Sequence, residues 1–192
     1  MIHGDITMIG YCFCGSFCTI PRSIKILRSL SAEGNQILPI MNESVYTTDT
    51  RFGKAEDTVR TVEEICGNQV LHTIVETEPI GPSVVLDMLV ISPCTGNTLA
   101  KLASGITDSP VTMAAKAQLR CNRPVVIALA SNDALSSNLK NIGQLLNRKN
   151  IYFVPMHQDD PEKKPYSLVC DFDMLKKTMT NAFAGRQVMP IF

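Results

Sequence analysis

The chain has 192 residues, enough to enclose one hydrophobic core and too few for two comfortable domains. Apolar residues make up 45% and charged residues 19%, and no apolar run approaches the roughly 18 residues that a membrane span needs. Eighteen basic residues balance eighteen acidic ones, so no long-range field attracts nucleic acid or an anionic membrane. These numbers predict a soluble single domain over residues 1–192 in which any anion site is local.

Patterns of strands and helices alternate along the chain. Apolar runs predict strands at residues 6–13, 36–41, 86–91, 123–130 and 150–155, with 70–75 as a short strand or an extended connection. Stripes with helical spacing predict helices at residues 20–30, 54–66, 98–103, 111–119, 135–146 and 174–184. Asn132-Asp133 is expected to cap the fifth of these helices, and Pro39 places the second strand near an edge.

This alternation implies right-handed crossovers and therefore an α/β fold. We expect a single, doubly wound, mainly parallel sheet with helices on both faces, as in Rossmann-like folds. The longest segment without periodicity covers residues 157–167 and carries two prolines and many charges. A loop of this length is typical of a surface segment or a functional flap.

The seven cysteines favour a reducing compartment over a disulfide framework. Their number is odd, and the first ten residues lack the basic and apolar regions of a secretory signal, so a cytoplasmic location is expected. Cys12, Cys14 and Cys18 lie close in sequence, but no second cysteine pair and no clustered histidines supply further ligands. We predict no metal and interpret these residues as small side chains near a strand end.

Two strand ends carry the residue types of a phosphate site. The strand at 86–91 is predicted to stop at Ser92-Pro93 and to give way to hydroxyls, an amide and a glycine over residues 94–98. At the carboxyl end of a parallel strand, such a loop turns N–H groups toward an anion, helped by the dipole of the next helix. Gly15-Ser16 offers a similar turn after the first strand, although its spacing lacks the full glycine fingerprint of dinucleotide folds and disfavours NAD. The sequence thus predicts a site for an anionic cofactor.

Residues 93–98 resemble the Pro-Ala-Ser-Ala-Asn-Thr motif of the homo-oligomeric flavin-containing cysteine decarboxylases, with proline, asparagine and threonine at the same spacing. Pro110 to Met113 resemble the start of that family's second motif, Pro-x-Met-Asn, with one extra residue before the methionine. The resemblance implies a flavoprotein fold, FMN as cofactor and a homo-oligomer built on trimers. Together with the strand-end positions, it implies cofactor-binding roles for Gly15, Ser16, Ser44, Pro93, Cys94, Thr95, Asn97, Thr98, Met113, Ser131 and Asn132.

Several of these residues also have a plainer interpretation. Helix capping accounts about equally well for the Ser131-Asn132 pair. It is the alternative for Asn97 and Thr98, where we expect cofactor contact because several donor-rich loops lie at strand ends. Core filling accounts for Met113.

One branch of the family resembles this chain nearly from end to end. The similar segments are residues 47–54, 107–116, 122–125, 150–155 and 160–165. Members of this branch act with a separate, nucleotide-binding A subunit to make dipicolinate, the pyridine dicarboxylate of bacterial endospores, from a dihydrodipicolinate-type intermediate of the lysine pathway. The resemblance therefore implies a flavin-dependent oxidoreductase subunit in the cytoplasm of the mother cell of a spore-forming bacterium.

A dicarboxylate substrate requires cations, and arginine suits planar, bidentate pairing with a carboxylate. Arg51, Lys163 and Lys164 are the candidates for substrate binding, with solvated loop charges as the alternative. No arrangement of serine, cysteine and histidine predicts covalent catalysis. The catalytic group is therefore left unassigned.

Three departures from the wider family bear on its decarboxylase chemistry. Ala114 stands where the decarboxylases carry the asparagine of their Met-Asn pair, and residues 42–53 hold no histidine where they carry a catalytic one. Asn42 stands where a serine is expected near the cofactor phosphate, which leaves Ser44 as a substitute. Two alternatives stay open beside the oxidoreductase: a non-catalytic FMN-binding partner of the A subunit, and a decarboxylase of cysteine substrates.

Overall fold

The structure, a computed structural model, describes residues 7–192 and contains one seven-stranded sheet within that range. The strands are β1 (Met8–Phe13), β2 (Gln36–Met41), β3 (Met88–Cys94), β4 (Val125–Ser131), β5 (Ile151–Phe153), β6 (Met156–His157) and β7 (Leu168–Cys170). The α-helices are α1 (Ile20–Ala32), α2 (Glu43–Thr47), α3 (Ala55–Cys66), α4 (Ile74–Thr77), α5 (Gly96–Ser104), α6 (Pro110–Arg120), α7 (Leu139–Leu146) and α8 (Leu175–Phe183). Ile6, the first residue of the first predicted strand, lies outside the described residues.

Five strands run parallel in the order β2-β1-β3-β4-β5, which confirms the predicted doubly wound α/β fold. The winding direction of the chain reverses between β1 and β3. Ligands of open α/β sheets bind at such a point, outside the carboxyl ends of the strands. Antiparallel β7 pairs with the end of β4, at Ala130 and Ser131, and β6 pairs with β7.

Helices cover both faces of the sheet, as predicted. On β1, Tyr11 and Phe13 pack into one core with α1, α3 and α8, whereas Cys12 and Cys14 pack into the other with α5, α6 and α7. This division follows from the alternation of side chains along a strand. Every residue of β3 is buried, which explains its almost continuous apolar sequence.

The edge position of β2 is confirmed, and only part of the 70–75 prediction holds. Leu71 forms a single parallel bridge to β2, with its N–H donating to the Pro39 carbonyl at 2.9 Å. Residues 74 and 75 are instead helical. Thr73 Oγ1 accepts from the Glu76 N–H at 3.2 Å and Glu76 Oε2 accepts from the Thr73 N–H at 2.8 Å, so a capping box starts α4.

The prediction that β3 stops at Ser92-Pro93 is wrong, because the strand continues to Cys94. The register against β4 shifts between Ile91 and Cys94. The Pro93 carbonyl still accepts a hydrogen bond from the Cys14 N–H at 3.1 Å, so β3 stays tied to the end of β1.

The predicted start of α7 is also wrong, because the helix begins at Leu139 and its N-cap is Asn138 rather than Asn132 or Asp133. The Asp133 carboxylate accepts hydrogen bonds from Ser131 Oγ at 2.5 Å and from Asn138 Nδ2 at 2.9 Å. The Asp133 carbonyl accepts from the Asn138 N–H at 3.1 Å. These bonds hold residues 132–138 in turns, so that α7 begins only at Leu139.

Residues 150–155 were expected to form the last strand, but β6 and β7 follow β5. These two strands have two and three residues, which is too short for a period-two pattern to appear in sequence. They flank the predicted flap, residues 157–167, whose first residue, His157, belongs to β6. No helix within residues 7–192 combines the length and apolar character needed to cross a bilayer.

Candidate functional site

Two turns lie side by side at the carboxyl edge of the sheet, where the winding reverses. One follows β1 at Gly15-Ser16, and the other follows β3 at residues 95–97. The hydrogen bond from the Cys14 N–H to the Pro93 carbonyl joins the ends of β1 and β3 next to the turns. The Ser16 N–H donates to the Cys14 carbonyl at 2.8 Å. Backbone bonds therefore fix the relative position of the turns.

A central cleft of about 610 Å³ lies at these turns. This volume falls within the usual range for small-molecule sites. Among the predicted cofactor residues, the cleft is lined by Gly15, Ser16, Thr95, Asn97, Ser131 and Asn132. Arg51 and Lys164, two of the three predicted substrate cations, line the same cleft.

A side cleft of about 600 Å³ adjoins the central cleft and shares Asn97 with it. Its lining includes the predicted residues Ser44 and Thr98. Ser44 also faces the first turn, because a Cβ atom added to Gly15 would lie 3.2 Å from Ser44 Oγ. The two clefts together gather eight of the eleven predicted cofactor residues around the carboxyl ends of β1, β2, β3 and β4.

The remaining three predicted cofactor residues line neither cleft. Pro93 and Cys94 are buried inside β3, and Met113 is half-buried on α6 beyond its capped first turn. Lys163, the third predicted substrate cation, is exposed and also lies outside both clefts. Met113 also belongs to neither hydrophobic core cluster, so the structure favours neither the cofactor role nor core filling for it.

Helix capping does not account for Asn97 or Asn132. Thr95 is the N-cap of α5, and its Oγ1 accepts from the Thr98 N–H at 3.3 Å. Asn97 and Asn132 are exposed residues of the central cleft, and Asn138 rather than Asn132 caps α7. Both residues therefore line the cleft without a capping role.

Gly96 allows the first turn of α5 to pack directly against the turn after β4. A Cβ atom at this position would lie 2.5 Å from Ser131 Oγ and 2.6 Å from both Asn138 Nδ2 and Asp133 Oδ1. The close approach brings the positive end of the α5 dipole to the wall of the central cleft. An anion in this cleft thus gains from the helix terminus.

Beneath the turns lies a pair of buried thiols, Cys14 and Cys94. A hydrogen bond with Cys94 lowers the pKa of the Cys14 thiol, and bonds from Thr98 and the Thr95 backbone act in the same direction against the effect of burial. The same pairing raises the pKa of Cys94 well above its usual value. Cys14 is therefore the more acidic thiol, although neither thiol lines a cleft.

The three clustered cysteines differ in their surroundings. Cys12 and Cys14 are buried, as expected for small residues near a strand end, whereas Cys18 is exposed. Within residues 7–192, no three His, Cys, Asp or Glu side chains are grouped so as to hold a metal ion.

His72 is a site residue that the sequence did not indicate. Its ring stacks on Tyr46 of α2 with a centroid distance of 3.8 Å and an interplanar angle of 10°, and both rings line the side cleft. The bridge between Leu71 and β2 positions the adjacent His72 at the side cleft. A histidine therefore lies against residues 42–53 in space, although that segment contains none in sequence.

Asn42 supplies an unsatisfied polar atom in the side cleft. Its Oδ1 is buried and has no hydrogen-bond partner within residues 7–192. Its Nδ2 contacts Thr98 Oγ1 at 3.4 Å and Cys14 Sγ at 3.5 Å. A buried acceptor without a donor costs about 1–3 kcal/mol, so this oxygen suits a ligand that brings a hydroxyl or N–H group.

The sequence profile of the Flavoprotein family matches residues 4–182. The chain belongs to the Flavoprotein family. It is 44% identical over 183 residues to the dipicolinate synthase B subunit of Bacillus subtilis (strain 168), and the match covers 95% of this chain and 92% of that protein. The resemblance inferred from the motifs is thereby confirmed.

Two solved structures resemble this chain along most of its length. The crystal structure of the dipicolinate synthase B subunit from Bacillus halodurans C superimposes with a TM-score of 0.88 at 39% identity, covering 96% of this chain and 95% of that one. The FMN-dependent cysteine decarboxylase SpaF superimposes with a TM-score of 0.65 at 22% identity, covering 93% of this chain and 97% of that one. At that identity the second similarity shows the fold alone.

Proposed function

We propose that this flavoprotein is the B subunit of a dipicolinate synthase. It uses FMN and acts with an A subunit to oxidise a dihydrodipicolinate-type intermediate to dipicolinate. The observation that carries this proposal is the pairing of the Gly15-Ser16 turn with the 95–97 turn in one cleft, in a chain 44% identical to a dipicolinate synthase B subunit.

The residues around the clefts fit FMN. Gly15 and Ser16 would hold the phosphate together with the N-terminal end of α5, where backbone N–H groups and the helix dipole favour an anion. The unpartnered Asn42 Oδ1 would accept a hydroxyl of the ribityl chain, and Ser131 and Asn132 form the wall after β4. Bound flavin supplies a two-electron acceptor for hydride.

The chain itself contributes binding and orientation. Arg51 and Lys164 place two cations in the central cleft, where they would offset the carboxylates of the substrate. Asn97 stands between the central and side clefts and would orient a ligand that reaches both. The similar Bacillus subtilis protein is named a B subunit, which supports an A subunit as partner. We also propose a homo-oligomer built on trimers, as the resemblance implies.

An anaerobic titration tests this function. FMN-loaded protein is mixed with dihydrodipicolinate, with and without the A subunit, and the visible flavin absorbance is followed. We expect bleaching as the flavin is reduced, with dipicolinate formed in equal amount. A yellow protein whose flavin keeps its oxidation state under all conditions would instead identify a non-catalytic FMN-binding partner. A protein that takes up no FMN would contradict both functions.

The position of His72 favours decarboxylation of a cysteine substrate as a second candidate function. His72 packs on Tyr46. Tyr46 belongs to residues 42–53, the segment in which the resembled decarboxylases carry their catalytic histidine. Release of carbon dioxide from a peptidyl-cysteine or pantothenoyl-cysteine substrate, lost in His72→Gln, would support this function. Absence of release from the FMN-loaded protein would reject it.

A further inference from the structure

Arg51 lies at the rim of the central cleft and has no carboxylate partner among residues 7–192. Thr50 and Gly53 exchange backbone hydrogen bonds of 3.0 and 3.1 Å, so Arg51 and Phe52 form the tip of a tight hairpin. The Arg51 guanidinium lies over the Phe52 ring, 4.9 Å from its centroid. None of the four ion pairs found within residues 7–192 includes Arg51. The guanidinium is therefore free to pair with an anion.

A second cation, Lys164, lines the cleft from the opposite side, next to β7 rather than β2. The hairpin follows β2 and α2, whereas Lys164 belongs to the loop between β6 and β7. Two backbone hydrogen bonds fix this loop, from the Lys164 N–H to the Asp160 carbonyl at 2.7 Å and from the Ser167 N–H to the Lys164 carbonyl at 3.0 Å. The ends of β1, β3 and β4 lie between the two cations.

Unlike Arg51, Lys164 already has a carboxylate partner in the same cleft. Its Nζ donates to Asp159 Oδ2 at 2.7 Å, and Asp159 also lines the cleft. The hydrogen bond lowers the pKa of Asp159 and raises that of Lys164, so both groups are charged near neutral pH. The side chain of Lys164 is 55% exposed and that of Asp159 is 36% exposed. An ion pair this exposed is weak enough for a ligand to replace one partner.

We propose that Arg51 and Lys164 bind the two carboxylates of a planar ring dicarboxylate, and that Asp159 is an internal carboxylate which this ligand displaces from Lys164. The inference rests on the proposed function, which supplies a dicarboxylate of this kind. Arginine would bind one carboxylate through its bidentate fork. The other acidic residue of the lining, Asp133, is held by Ser131 and Asn138 and stays in place.

The neighbouring Lys163 provides a matched control. It belongs to the same loop and has the same charge, but its side chain is exposed outside the cleft. Its backbone N–H donates to Asp160 Oδ1 at 3.1 Å, a bond that survives replacement of the side chain. Loss of Lys163 changes the net charge as loss of Lys164 does, without touching the proposed subsite.

The test measures the affinity of FMN-loaded protein for dipicolinate by calorimetric titration. Asp159→Asn should tighten binding by about two- to fivefold, the value of an exposed ion pair, because Lys164 is freed and a repelling charge is removed. Lys164→Ala should weaken binding by a similar factor, and Arg51→Ala by about tenfold. Lys163→Ala should match the wild type, and picolinate, with one carboxylate, should bind more weakly and respond less to these changes.

Two outcomes would overturn the inference. If Asp159→Asn binds dipicolinate no more tightly than the wild type, Asp159 does not compete with the ligand. If Arg51→Ala and Lys164→Ala weaken FMN binding but leave dipicolinate binding unchanged, the cations serve the cofactor phosphate. In either case the anaerobic reduction of bound flavin still reports separately on the proposed function.

Discussion

Replacing Ser16 with alanine should weaken FMN binding by roughly 10- to 100-fold, the value of a hydrogen bond to a charged group. The single proton of Thr19 Oγ1 is shared in a bifurcated hydrogen bond, first with Ser16 Oγ at 3.0 Å and second with the Ser16 carbonyl at 2.8 Å. Because the Ser16 hydroxyl oxygen is the acceptor in the first bond, its own proton is available for a phosphate oxygen. Quenching of flavin fluorescence on titration with protein measures the effect.

Ser83→Ala is the control for this substitution. Ser83 is an exposed serine of the connection before β3 and lines neither cleft, so its loss should leave FMN affinity unchanged. Equal affinity of Ser16→Ala and Ser83→Ala for FMN would place the phosphate away from the first turn.

Replacing Gly96 with alanine should lower the free energy of unfolding by about 1–3 kcal/mol, the usual cost of overpacking. The new methyl group would lie 2.5–2.6 Å from three polar atoms of the turn after β4, and that turn would have to move. The movement should weaken FMN binding as well, since Ser131 ends β4 and Asn132 begins the turn. Urea unfolding measures the stability change as a lower midpoint at constant slope.

The matched substitution Gly143→Ala should have the opposite sign. Gly143 lies inside α7, and an added Cβ atom would meet nothing within 4 Å. Alanine should therefore stabilise the helix by about 0.5–1 kcal/mol through its higher propensity. A Gly96→Ala protein as stable as the wild type would show that the α5 contact with the β4 turn is looser than the structure indicates.

Hydrophobic periodicity was sufficient to predict the parallel sheet. The buried β3 strand and the striped helices α1, α3 and α7 carry patterns that depend only on which face is covered. The edge position of β2 followed from Pro39, which removes a ladder donor. Cleft-lining residues could be predicted where they directly follow these strands, as at Gly15-Ser16 and residues 95–97.

The remaining features depend on contacts between residues far apart in sequence. His72 reaches the side cleft through one bridge between Leu71 and β2, and a single bridge leaves no periodic signal. Asp133 was expected to cap a helix, but its carboxylate is occupied by Ser131 and Asn138. Side-chain acceptors compete with the backbone in this way wherever turns are available.

Sequence also could not separate Lys163 from Lys164. The two are adjacent and alike, and only the folded loop turns one side chain into the cleft. Met113 shows the converse case, because it belongs to a segment that resembles a family motif but lines neither cleft.

A crystal structure of the protein soaked with FMN tests the central claim most directly. We expect phosphate density against the Gly15-Ser16 turn and the N-terminal end of α5, with the rest of the nucleotide in the central or side cleft. Phosphate density elsewhere on the protein, or empty clefts at saturating FMN, would contradict it.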